Sequence, residues 1–414
     1  MLKIKFSWYN LSKLFAIAVV SWVCCPWLGQ NTGLICGFAL AAGWCFCSFF
    51  CRERGFIVRT DTIYMIIFGL DLVLSLILTG RVFQTYEPYY FLSMICLFFL
   101  PFYMFCFYFD HEDKVFLKRL TLVGLLLTVV GSITSTYYAV ANPLIMKTIS
   151  QNLDTEFLAY RKAGIGSFGF IYMLMFSMIA IVGALKANLG ENRRPLVLCV
   201  VLFLVMGIIC IAISTFTTAM LLSILGILLV LIDNPKNKII NITKYVILVL
   251  IFLIFSQLIG NFLANIRTDY LSVTERLNEI GNILRGNSLG NNTEARLEYM
   301  VRSFECFFKY PLLGYNFQIN PAYKVGTHCE WIDIFGVYGM IGGIPLLATI
   351  IYKLKAVSQR LKFKSNFPYY KIIILVFTIY GFLDPFLRLY HIGFALFLLV
   401  PGIAILYQNT GRAR

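Results

Sequence analysis

This sequence is poor in charged side chains. Asp, Glu, Lys and Arg make up only 13% of its 414 residues, whereas 59% of the residues are hydrophobic, and the mean hydropathy is +0.80. Such a chain has too few polar side chains to cover the surface of a water-soluble globule. A soluble fold is therefore excluded, and lipid must surround most of the protein.

Several catalytic motifs are also missing. The sequence contains no Walker phosphate-binding loop, no dinucleotide-binding glycine fingerprint and no nucleophile elbow around a serine. ATP-driven transport and hydrolase chemistry of the soluble type are therefore disfavoured. No Cys or His spacing fits a metal site, and we expect neither a metal nor another cofactor.

Most of the twelve cysteines lie inside apolar runs, where Cys behaves as a small hydrophobe. Cys306 and Cys329 are different, because both fall in one long polar region. They would form a disulfide only in an oxidising compartment. Two free thiols are the favoured alternative.

Long apolar runs recur from Leu11 almost to the C-terminus. A membrane-spanning helix needs about 20 apolar residues, and the sequence therefore predicts an all-α polytopic membrane protein with about 12 transmembrane helices. No small-residue cleavage site follows Trp27, so we expect the first span to be retained. The predicted spans lie near residues 11–28, 33–51, 62–80, 89–109, 119–140, 166–185, 196–213, 217–232, 245–264, 333–352, 371–387 and 391–407.

Lys and Arg concentrate in alternate loops, which predicts that these loops and both termini are cytoplasmic. The same bias accounts for most of the net charge of +15, so contact with anionic lipid is favoured over nucleic-acid binding. The residues concerned are Lys3, Lys5, Lys13, Arg52, Arg54, Arg59, Lys114, Lys118, Arg119, Lys186, Arg193, Arg194, Lys236, Lys238, Lys244, Lys353, Lys355, Arg360, Lys362, Lys364, Arg412 and Arg414.

The spans divide the chain into three parts. Residues 1–264 hold nine predicted spans and an outer loop at 141–165, and residues 333–414 hold the last three spans and a cytoplasmic tail. Residues 265–332 form a large extracytoplasmic loop, which we expect to be partly helical. We expect the function to reside in the two long outer segments, 141–165 and 265–332.

Residues 291–309 are predicted to form an amphipathic helix that Pro311 terminates. Its polar stripe pairs Glu298 with Arg302 at a spacing of four, where a surface ion pair is sufficient explanation. Arg296 projects away from that stripe, at the edge of the apolar face, and we favour a functional role for it. The apolar face can lie on the membrane or pack on the bundle, and comprises Leu297, Met300, Val301, Phe304, Phe307 and Phe308.

One of only three histidines, His328, precedes two carboxylates at the start of a predicted span. Glu330 and Asp333 lie within one helical turn of it, so a carboxylate could orient the imidazole for general-base work. Alternatively, the two acids only favour the positive end of the helix dipole. The residues themselves leave both interpretations open.

The region from 296 to 342 contains Arg296, the run Tyr310-Pro311-Leu312-Leu313-Gly314-Tyr315, the element His328-x-Glu330-Trp331-x-Asp333, and the run Tyr338-Gly339-x-Ile341-Gly342. On these residues the region resembles the bacterial O-antigen polymerase and ligase superfamily, whose members are membrane glycosyltransferases of the lipid-linked GT-C type. Within that superfamily the chain is more similar to a repeat-unit polymerase for O-antigen or capsular polysaccharide than to a ligase.

The resemblance implies a protein of the bacterial inner membrane that acts on its extracytoplasmic face. The donor is then a glycan on undecaprenyl diphosphate, and the acceptor is the terminal sugar of another lipid-linked repeat unit. His328 would take the proton of the attacking hydroxyl, with inversion at the anomeric carbon, and Arg296 would bind the leaving diphosphate through its planar fork. A polysaccharide chain-length regulator is an expected partner by family analogy.

Further arginines are candidates for diphosphate binding. Arg161 is one, with an interfacial anchor as the alternative, while Arg302 is a weaker candidate. Many family members also carry an arginine at an outer helix start, where this chain has the hydroxyl-rich run from Ser214 to Met220 around Phe216. Arg388, close to Asp384 and His391, is a candidate substitute for that arginine. An ion pair between helices would explain these residues equally well.

Two other functions stay open. A ligase that moves polysaccharide onto lipid A core shares the expected fold and His chemistry, but the helix start without arginine argues mildly against it. A flippase or sugar transporter should carry its charged residues at the membrane midplane on broken helices. The notable polar cluster of this chain lies instead in a long outer loop.

Overall fold

The computed structural model describes residues 7–51, 87–142, 144–151, 162–187, 194–234, 291–315, 329–365 and 367–407, with isolated residues between 66 and 70 and between 243 and 285. Every regular element in these ranges is helical. The main helices are α1 (Trp8–Cys24), α2 (Pro26–Phe49), α3 (Glu87–Asp110), α4 (Lys114–Ala141), α5 (Ile145–Gln151), α6 (Phe168–Ala187), α7 (Arg194–Ile213), α8 (Thr217–Ile232), α9 (Asn291–Lys309), α10 (Glu330–Ser365), α11 (Tyr370–Leu383), α12 (Tyr390–Phe394) and α13 (Val400–Leu406), the last two joined by a π-helical segment, Ala395–Leu399.

The apolar runs of the sequence correspond to these helices wherever the structure describes them. Four helices, Pro26–Phe49, Lys114–Ala141, Phe168–Ala187 and Glu330–Lys362, are long and apolar enough to cross a membrane, and shorter apolar helices accompany them. The chain is therefore a membrane-embedded helical protein. The predicted spans near 62–80 and 245–264 lie, apart from isolated residues, outside the described part.

Helix α6 lies at the centre of the bundle. Its sequence has no charged residue before Lys186, and a helix that is hydrophobic on all sides buries all of its faces. It contacts α7, α8, α12 and α13. Gly169 allows one such approach, because a Cβ atom there would lie 2.7 Å from Nδ1 of His391.

Ion pairs gather several helix ends at one side of the bundle. Lys13 of α1 lies 2.6 Å from Asp113, in the turn between α3 and α4, and Arg360 of α10 lies 3.1 Å from Asp110 at the end of α3. Lys13 and Arg360 belong to segments that the sequence predicts to be cytoplasmic. The two ion pairs therefore lie on the side of the bundle that is predicted to face the cytoplasm.

Helix α10 is longer than predicted. The sequence predicts that this span ends at 352 and that residues 353–364 belong to a cytoplasmic loop, but the helix continues to Ser365. Lys353 is fully buried, with Nζ 4.3 and 4.0 Å from the ring centroids of Phe102 and Tyr103. Aromatic faces stabilise a cation, so a lysine that suggested a loop lies inside the bundle.

Candidate functional site

Helix α9 has the bounds that the sequence predicted, but it presents three faces rather than two. One face packs on the bundle, and its residues are Arg296, Tyr299, Met300, Ser303, Cys306 and Phe307. The polar stripe contains Glu298, Arg302, Glu305 and Lys309, and a separate apolar stripe of Leu297, Val301, Phe304 and Phe308 stays exposed. The predicted apolar face is thus divided between the bundle and the surface.

Arg296 turns away from the polar stripe, as predicted. Its Nη1 donates to the Leu383 carbonyl oxygen at 3.1 Å and lies 3.5 Å from Oδ1 of Asp384, with 39% of the arginine side chain exposed and only 5% of the aspartate side chain. The Tyr172 hydroxyl donates to the other carboxylate oxygen at 2.9 Å. The positive charge of Arg296 thereby balances the negative charge of the buried Asp384 carboxylate. The carboxylate in turn holds the half-exposed Arg296 side chain at the end of α11.

Arg302 makes the surface ion pair with Glu298 that its spacing predicted. Exposed pairs of this type contribute about 0.3–0.5 kcal/mol. The two arginines of α9 therefore differ in kind, since Arg296 meets a buried partner from another helix and Arg302 meets a neighbour on its own helix.

Glu330 connects the start of α10 to the turn after α11. Its Oε2 accepts the backbone N–H groups of Phe386 at 2.7 Å and Leu387 at 3.2 Å, and the residue is buried. Arg388, the next residue of that turn, is exposed and interacts electrostatically with Glu330. These contacts give Glu330 a bracing role, and a catalytic role for it stays a prediction.

Asp333 braces α9 against α10. One carboxylate oxygen accepts from the Ser303 hydroxyl of α9 at 2.7 Å, and the other accepts from the backbone N–H of Cys329 at 3.1 Å. The second bond satisfies a donor at the helix start, as N-terminal caps do. Asp333 thus holds the start of α10, and a catalytic role for it stays a prediction.

Two predicted site residues, His328 and Arg161, lie outside the described residues. Cys306 and Cys329 are both buried free thiols, so the disulfide alternative is not realised. Burial raises the pKa of the Cys329 thiol to about 11; the nearby carboxylates also raise it, and a backbone hydrogen bond from Ile332 offsets part of the effect.

The two glycine-containing runs from the resemblance lie against each other. Gly314 and Gly339 have φ of 67° and 60°, and a Cβ atom on Gly314 would lie 2.4 Å from the backbone nitrogen of Gly339. At this break in α10, Met340 donates its N–H to the carbonyl oxygen of Pro311 at 2.8 Å. Glycine is needed on both sides of the contact, because any side chain would collide with backbone.

The hydroxyl-rich start of α8 adjoins the cluster formed by Arg296, Tyr172 and Asp384. Thr218 lies near the Tyr172 hydroxyl, which donates to Asp384. Thr215 has φ of 59°, a conformation that β-branched residues rarely adopt. Strain of this kind persists where the surrounding structure imposes it, often at functional sites.

Sequence reasoning missed Tyr172 and Ser303 as contributors to this cluster. Tyr172 lies within a continuous apolar span, where one tyrosine gives no signal. The hydroxyl run before α8 is evident in the sequence, but its contact with α6 depends on packing.

Compared with protein-family models and with curated protein sequences, the chain matches none. Fold and cluster together define a membrane-embedded helical protein with an arginine held at one end of its bundle.

Proposed function

We propose that this chain is a lipid-linked glycosyltransferase that polymerises undecaprenyl-diphosphate-linked oligosaccharide repeat units into O-antigen or capsular polysaccharide. The reaction takes place on the extracytoplasmic face of the bacterial inner membrane. One observation carries the proposal: two of the runs that resemble the polymerase and ligase superfamily pack on one another just after α9 ends, and the half-exposed Arg296 near the start of the same helix lies against the end of α11.

In the proposed reaction, a hydroxyl oxygen of the acceptor sugar forms a bond to the anomeric carbon of the donor. The bond from that carbon to the diphosphate oxygen breaks, and undecaprenyl diphosphate leaves with the electron pair. His328, which immediately precedes Cys329 in the sequence, takes the hydroxyl proton. Configuration at the anomeric carbon inverts, as in any single displacement.

Arg296 stabilises the negative charge that accumulates on the leaving diphosphate. Its contact with Asp384 and the Leu383 carbonyl group occupies Nη1, while a guanidinium has five N–H donors in all. An exposed edge of the fork can therefore face a diphosphate while the other edge stays anchored. Preorganised charge of this kind typically contributes about 10²–10³-fold in rate per donor.

The first test is genetic. The gene is deleted in its host and restored as the wild type, His328→Ala, Arg296→Ala or Arg302→Ala; surface glycolipids are then resolved on a gel beside extracted undecaprenyl-linked glycans. We expect loss of the long polymer ladder in the His328 and Arg296 variants, with single repeat units still reaching the surface lipid. Arg302→Ala is the matched control, because it removes only a surface pair from the same helix.

Immunoblots of membrane fractions show whether each variant accumulates, and Arg296→Lys retains the charge that neutralises Asp384. A full ladder in both alanine variants would refute the catalytic assignment. Long glycan stranded on undecaprenyl diphosphate would instead identify a ligase. Equal loss in Arg302→Ala and Arg296→Ala would contradict the distinction between the two faces of α9.

A further inference from the structure

The exposed apolar stripe of α9, formed by Leu297, Val301, Phe304 and Phe308, is not used by the proposed chemistry. Its members recur at spacings of three and four, so they line one face of the helix. All four are exposed, and Phe308 is 76% exposed. Contiguous apolar surface of this kind marks a contact with another molecule or with a membrane.

The stripe continues into the lipid-facing surface of α10. Beyond α9 the chain reaches Leu312, which is 57% exposed and whose carbonyl oxygen accepts the backbone N–H of Ile341 at 3.0 Å. Met340, Ile341 and Ile344 of α10 are exposed as well, and they belong to a helix long and apolar enough to cross a membrane. One apolar surface therefore extends from the spanning helix to α9.

The polar stripe beside it carries no excess of positive charge. Its acidic residues, Glu294, Glu298 and Glu305, outnumber its basic ones, Arg302 and Lys309, so electrostatic attraction to anionic lipid is not the main force. A helix with one face on a bundle, one apolar and one polar suits the membrane–water boundary, where each face meets its preferred surroundings.

We infer that α9 is an interfacial helix whose apolar stripe is immersed in the acyl-chain boundary of the bilayer. The packed face then holds Arg296 close to the depth of lipid headgroups, where phosphate groups lie. This inference does not depend on the proposed function, although it would explain how an arginine on an outer loop reaches a lipid-bound diphosphate.

Photocrosslinking tests the inference directly. p-Benzoylphenylalanine replaces Phe308 or Phe304 in the full chain, which is reconstituted in vesicles of phosphatidylethanolamine and phosphatidylglycerol containing a phospholipid with an alkynyl acyl chain. After irradiation, the lipid attached to the protein is measured through the alkyne. Substitution at Glu305, on the polar stripe of the same helix, is the matched control, and substitution at Ile344 reports a spanning lipid-facing position.

We expect Phe304, Phe308 and Ile344 positions to capture lipid to a similar extent, and the Glu305 position to capture several-fold less. Weak and equal capture at Phe308 and Glu305 would overturn the inference. Crosslinks from Phe308 to a second copy of the chain, without lipid, would overturn it as well. Neither result depends on polymer synthesis, so a failure here is distinct from a failure of the proposed function.

Discussion

At the scale of single residues, helical periodicity identified the unusual direction of Arg296 but not its partner. A charge at the edge of an apolar face needs compensation, and that much follows from sequence. Asp384 and the Leu383 carbonyl oxygen supply it from the end of α11. Such partners depend on how distant helices pack, which a local pattern does not encode.

The residue that gives the clearest pH-dependent prediction is Cys329. Its pKa is raised to about 11, so at neutral pH the thiol is protonated, and the thiolate is the reactive form. We expect iodoacetamide to leave Cys329 unmodified at pH 7 in native membranes, and modification to become faster as the pH rises towards 11. Mass spectrometry of the peptide that contains Cys329 measures this.

The denatured protein provides the control for that measurement, since unfolding should make Cys329 reactive at a lower pH. Rapid labelling of the native protein at pH 7 would contradict the buried position. A peptide that joins Cys306 to Cys329 in a non-reducing digest would contradict the two free thiols.

At the scale of helices, the agreement between sequence and structure depends on how polar residues are accommodated. Helix α9 begins and ends where its periodicity and Pro311 predicted. Helix α10 does not, because aromatic rings surround Lys353 and allow a lysine inside the bundle. Hydropathy treats every lysine as a reason to leave the membrane, so it ends such a helix too early.

The contact between the turn after α9 and the break in α10 predicts the effect of Gly339→Ala. Gly339 combines φ of 60° with ψ of −161°, a conformation that costs a residue with a Cβ roughly 1–3 kcal/mol, and the added atom would lie 2.4 Å from the backbone of Leu312. We expect a lower unfolding temperature in detergent, monitored by circular dichroism. We also expect weaker docking of α9.

Gly69→Ala is the control for this substitution, because a Cβ atom at Gly69 would meet nothing within 4 Å. Its unfolding temperature should equal that of the wild type or lie slightly above it, because Ala favours a helix over Gly. If the two variants unfolded at the same temperature, the close glycine contact would not be a source of stability.

At the scale of the whole molecule, the polar contacts form two groups at opposite ends of α10. Glu330 and Asp333 lie at its start, near Arg296, whereas Arg360 pairs with Asp110 close to its end. From the break at Gly339 to Arg360, a rise of about 1.5 Å per residue makes α10 about as long as a hydrocarbon core of about 30 Å is thick. The sequence predicted this division from charge alone, without the contacts that hold each group together.

This division predicts the orientation of the chain. Lysine and arginine are retained on the cytoplasmic side, so the end that contains Arg360 should face the cytoplasm and the end that contains Arg296 should face outwards. Alkaline phosphatase fused after Tyr315 should be active, and a fluorescent protein fused after Arg414 should fluoresce. The exchanged fusions, phosphatase after Arg414 and fluorescent protein after Tyr315, should both be silent.

Phosphatase activity after Arg414 would reverse the orientation and place the Arg296 cluster in the cytoplasm. The proposed polymerase would then be wrong whatever the chemistry of its residues, because the cluster would lie on the opposite face from the one where polymerisation is proposed. Phosphatase activity after Tyr315 together with fluorescence after Arg414 would instead require an odd number of membrane crossings between these two positions. Crossings by α10, by α11 and by the continuous segment from α12 to α13 would give that number.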